Sequence, residues 1–157
     1  MMNTRSRYSW LFIAGFMGGL AEVVWICLYS FTANMPLSDI GRAITTTVYP
    51  HSMEFALAPV LGLVIHMILS ILLAFGFGAL LWPLVERIFH NKAAVMITSI
   101  ASLAVVWKVN FFLLLPIWNP EFINLLPFTV TFASKILFGL TMGTVLTFYQ
   151  QRPALGN

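Results

Sequence analysis

The sequence predicts an all-α integral membrane protein, a four-helix bundle with both termini in the cytoplasm, and three observations predict it. Of 157 residues, 60% are hydrophobic and only 8% charged. A soluble domain carries about 25% charged residues, so lipid is the natural solvent for this surface. Four apolar segments, 10–31, 58–82, 93–115 and 128–149, are each about 22 to 25 residues long, enough to cross roughly 30 Å of hydrocarbon. The basic residues are segregated. Arg5, Arg7, Arg87, Lys92 and Arg152 fall on the side of the termini and the middle loop, while the other two loops hold only Arg42. That asymmetry places both termini inside, in a bacterial inner membrane. The whole of 1–157 is expected to form one transmembrane domain.

The first segment follows Arg5 and Arg7 as the core of a signal peptide would. It runs on to Phe31, contains Glu22 and lacks a small-x-small cleavage site, and therefore reads as a retained helix. Trp10 and Trp82 are expected at the inner interface and Trp118 at the outer one. Between the first two segments, Ser38 and Asp39 can cap a short surface helix running to about Val48, ended by Pro50. Its apolar side would be Ile40, Ile44, Thr47 and Val48. Asp39, Arg42, Thr45 and Thr46 would face the other way, with the segment either lying as a helix on the outer membrane surface or forming a solvated connector. The second outer loop, 117–127, is too apolar to wave free and is expected to dip into the interface or cover the bundle.

Several function classes lack their signatures. The eight basic residues are scattered and the formal charge is +3, so no basic stripe awaits nucleic acid. There is no Walker loop, no dinucleotide glycine pattern and no Ser-x-x-Lys arrangement. Gly76 and Gly78 sit inside a membrane segment and read as packing. Cys27 is the single cysteine and reads as a small buried hydrophobe. No catalytic set, metal site or identifiable cofactor emerges.

The chemistry concentrates elsewhere. Each span carries one ionisable residue: Glu22, His66, Lys108 and Lys135. Asn110 adds a neutral polar group. A charge in the bilayer costs roughly 2.5–3.5 kcal/mol even on lenient scales. Counting the rise from each segment end places Glu22 about 18 Å and Lys108 about 22 Å from the inner side, with His66 and Lys135 about 12 and 10 Å from the outer side. All four fall in one layer, which predicts a shared polar cluster with Glu22 touching Lys135.

Small residues accompany these groups. Gly15, Gly18 and Gly19 precede Glu22 by seven, four and three residues, and Gly139 and Gly143 follow Lys135 by four and eight. Gly15-xxx-Gly19 and Gly139-xxx-Gly143 are spaced for close helix approach, and packing them against each other would bring Glu22 level with Lys135. One carboxylate cannot neutralise two lysines, so an anionic ligand, a lipid headgroup or a partner group is expected to supply the balance unless one lysine is neutral.

Three functions fit these residues. The first is an auxiliary subunit of a larger membrane complex, whose buried cluster orients helices or binds a cofactor, lipid or partner group. The second is a small homo-oligomeric transporter or channel using the cluster as an anion or proton site. The third is a quinone- or haem-binding redox protein, in which His51 would have to fold inward to meet His66. His90, beside Lys92, reads as a solvated loop residue.

Overall fold

The structure is a computed structural model and describes residues 4–51, 55–89 and 91–150. His90 and Arg152 lie outside the described residues. Every regular element among the described residues is helical. The helices are α1 (Thr4–Ala33), α2 (Leu37–Val48), α3 (Ala58–Leu80), α4 (Trp82–Phe89), α5 (Lys92–Val109), α6 (Leu115–Trp118), α7 (Pro120–Leu125) and α8 (Phe128–Gln150), with a π-helical turn, Asn110–Leu114, between α5 and α6. Four helical stretches are long and apolar enough to cross a membrane: Ser6–Ala33, Ala58–Phe89, Lys92–Trp118 and Phe128–Gln150.

Local chemistry explains the boundaries. α1 ends where Asn34 enters the left-handed region, φ 52, which asparagine tolerates. The turn lets the Met35 N–H donate to the Ser30 carbonyl at 3.0 Å, satisfying an end-of-helix acceptor. α5 begins at Asn91, whose side chain accepts from the Ala94 N–H at 2.6 Å. The third span runs past residue 115 rather than stopping there. Pro116 has no N–H for the Phe112 carbonyl, and its ring crowds the preceding turn. The helix accommodates it by widening, so that the Leu115 N–H donates to the Asn110 carbonyl.

The spans pack in the order α3, α1, α8, α5. The two glycine stripes therefore serve different interfaces, which corrects the expected glycine-to-glycine pairing of the first and last spans. A Cβ on Gly15 would meet the Ile71 Cα at 2.6 Å, and one on Gly19 would meet Ser70 at 2.7 Å, both on α3. A Cβ on Gly139 would meet the Ile100 Cα at 2.7 Å, and one on Gly143 would meet Met96, both on α5. α1 and α8 touch instead through Gly18, against which the ring of Phe138 lies. Phe138 is fully buried. The physical reason is that an adjacent pair of glycines turns two faces of α1 to two neighbours at once, since residues 18 and 19 are about 100° apart on the helix.

The α4 end of the bundle is closed by aromatics. Trp82 is 1% exposed, packs edge-on to Tyr149 with ring centroids 5.7 Å apart, and lies under the Arg7 guanidinium, 4.9 Å from the ring centre. Arg7 also donates to the Gly78 carbonyl at 2.7 Å. Trp82 is thus an interior residue and not the headgroup anchor its position in the sequence suggested. Trp118 remains exposed.

At the other end α2 forms as a helix, but its N-cap is Pro36, with no side-chain cap, so Ser38 and Asp39 lie within the first turn. Its buried residues are Ile40 and Thr45. Val48 is exposed, which rotates the expected inward face and corrects Thr45 from the outer to the inner side. Gly41 on α2 and Gly62 on α3 leave no room for side chains where the two backbones cross. Thr45 Oγ donates to the Ala58 carbonyl at 2.6 Å. The 117–127 segment is helical over α7, whose cap Asn119 accepts from the Phe122 N–H and donates Nδ2 to Thr47 Oγ1 at 2.9 Å and the Ala43 carbonyl at 3.2 Å. Asn119 thereby ties the connection after α1 to the connection before α8.

Candidate functional site

Glu22 sits on α1 between α3 and α8 and is 2% exposed. A buried carboxylate is tolerated only when its oxygens are occupied by donors. Here Lys135 Nζ donates to Oε2 at 2.7 Å and Ser134 Oγ to Oε1 at 2.9 Å. The Ser134 hydroxyl has one hydrogen, which serves either Glu22 or the Thr131 carbonyl at 2.8 Å. Adjacent residues of one helix diverge by about 100°, so Ser134 and Lys135 reach the two carboxylate oxygens from different directions. The Lys135 ammonium also lies 5.8 Å from the centre of the Phe138 ring, within reach of a cation–π attraction.

His66 approaches from α3. Its Nε2 stands 3.7 Å from Glu22 Oε2, too far for a hydrogen bond, and is buried without another hydrogen-bond partner among the described residues. The Gly19 backbone lies against the ring as well. The His66 carbonyl accepts from Ser70 Oγ at 2.8 Å. The site is therefore a carboxylate on one helix with a lysine and serine on a second and an imidazole on a third. The side chains of Lys135 and His66 keep 17% and 21% of their surface exposed, so the cluster borders the molecular surface.

Glu22, His66 and Lys135 are thus brought together, whereas Lys108 and Asn110 are not. Lys108 is exposed. The residues α5 buries are Val95, Ser99 and Leu103, and Lys108, nine positions beyond Ser99, projects about 180° away. The rise along a helix fixes the depth of Lys108 but says nothing of the direction in which the helix turns it. Asn110 contributes a backbone carbonyl to the π turn and takes no part in binding Glu22. His51 is exposed at the turn after α2. Among the described residues no group of three or more His, Cys, Asp or Glu side chains could hold a metal ion.

Sequence reasoning missed Ser134. The signal was available: Thr131, Ser134, Phe138 and Met142 recur at helical spacing and all are buried, a stripe that points Ser134 inward beside Lys135. It also missed Trp25, whose Nε1 donates to the Val130 carbonyl at 3.0 Å, and Trp107, whose Nε1 donates to Thr131 Oγ1 at 3.1 Å. These two bonds fasten the start of α8 to α1 and α5. Comparison with protein-family models, curated proteins and solved structures finds no match for this chain.

Proposed function

We propose that this chain is an auxiliary subunit of a larger membrane complex in a bacterial inner membrane, with both termini cytoplasmic and α2 at the outer surface. The observation that carries the reading is Lys108, an exposed lysine in the middle of a candidate span. Glu22 is already matched by Lys135, so the surplus charge of Lys108 has no counterpart in its own chain among the described residues. A membrane lysine of this kind is costly unless something outside the chain pairs with it. On this reading the Glu22 cluster is the internal fastening that orients α1 between α3 and α8. Extraction at native expression in a mild detergent, followed by mass determination, tests the reading. Heterologous subunits are expected. A pure homo-oligomer or a monomer rejects it.

A second reading is favoured by His66. An imidazole with an unpartnered nitrogen 3.7 Å from a carboxylate can take up and pass a proton. The chain would then be a small homo-oligomeric transporter or channel with Glu22 and His66 as its proton site. Vesicles containing the purified chain should show proton flux that His66→Gln abolishes. Absence of flux from the reconstituted homo-oligomer rejects this alternative.

A further inference from the structure

We infer that the outward face of α5 seats a transmembrane helix of a different protein, and that this helix carries an aspartate or glutamate near mid-membrane paired with Lys108. The inference rests on the subunit reading above and specifies the partner's chemistry.

The face is defined by Ile97, Ala101, Val105, Lys108 and Phe112, all exposed. Their spacing of four, four, three and four residues forms one continuous stripe along a helix. Only Lys108 on it is polar. In the span Lys92–Trp118, Lys108 lies about 24 Å from one end and about 15 Å from the other. Its Cα–Cβ bond tilts toward the helix N-terminus, away from the nearer end. Snorkelling to the nearer headgroup layer would have to run against that tilt, so a lipid phosphate is a poor counter-ion.

A second copy of this chain does not supply the missing anion. The five acidic residues are Glu22, Asp39, Glu54, Glu86 and Glu121. Glu22 is buried and bonded to Lys135 and Ser134. Glu86 is in α4 and accepts from Gln150 at 3.0 Å. Asp39 and Glu121 belong to α2 and α7, and Glu54 lies outside the described residues. Symmetric pairing along this stripe would bring two lysines together, and among the described residues the one carboxylate at their depth, Glu22, is buried and already bonded. A foreign helix with one central acid is the occupant that balances the charge.

The test places a photoreactive benzoylphenylalanine at Val105 or Ala101 in the full chain, expressed at native level and illuminated in intact membranes. The expected result is an adduct with a second protein, whose cross-linked peptide lies in a membrane span with an Asp or Glu near its centre. Lys108→Met should lower the adduct yield about tenfold or more, because it strands that carboxylate in lipid. Lys108→Glu combined with an acid-to-Lys change in the partner should restore it. Thermal melting of Lys108→Met in detergent should match the parent, since the exposed lysine makes no hydrogen bond or ion pair among the described residues. Adducts of twice the chain mass, adducts to lipid alone, adducts to a span without a central acid, or no adduct all overturn the inference. If these occur while the extracted complex still contains heterologous subunits, the α5 face is refuted and the subunit reading stands. If no heterologous subunit is present, both fail.

Discussion

Lys135 Nζ meets Glu22 Oε2 at 2.7 Å, joining α8 to α1 across 113 positions of sequence. The carboxylate is buried, with Glu22 2% exposed. Replacing Glu22 by Gln or Lys135 by Met removes one partner of a buried pair, which costs about 3–5 kcal/mol. The double variant should lose less than the sum of the single losses, with a coupling of about 0.5–3 kcal/mol. Detergent melting of the four proteins measures the cycle. Strict additivity would show that the contact does not hold the helices.

Gly19 and Gly139 guard separate interfaces, α1 against α3 and α8 against α5. Leucine at either should force its helices apart and lower the melting temperature. Because the two sites share no neighbour, their destabilisations should add within about 0.5 kcal/mol. A strongly non-additive pair would return the two stripes to a common interface.

Gly62 abuts the Gly41 backbone where α3 crosses α2. Gly62→Ala introduces a methyl that collides with the Gly41 carbonyl, an overpacking that costs about 1–3 kcal/mol and should lift α2. In a Cys27→Ser background, a cysteine replacing Ser38 should react with an impermeant thiol reagent and one replacing Ile40, 7% exposed, should not. Adding Gly62→Ala should make the Ile40 position reactive. Continued protection there would mean that α2 is held by Asn119 and Thr45 alone.

Reporter domains fused after Pro50 and after Gly156 should report opposite sides of the membrane, the second cytoplasmic, from the distribution of arginine and lysine. The same side for both would overturn the proposed orientation.

Composition and apolar run length were sufficient for an all-helical chain with four candidate spans, because a span must satisfy its own backbone hydrogen bonds and present apolar side chains over a fixed length. Residue counting also put Glu22 and Lys135 at comparable heights, since helical rise per residue hardly varies. Ser134 beside Lys135 was missed, whereas the glycines on particular faces were legible in the same way. Rotation and neighbour choice were not. Lys108 shares a level with Glu22 but faces outward, because α5 turns Ser99 and Leu103 toward α8. Gly19 meets Ser70 and not Gly139, because helix order follows from how several faces fill space at once. Trp82 and Thr45 are interior for the same reason. A linear sequence states which residues can lie on one side of a helix; which neighbour that side meets is decided only when all the helices pack together.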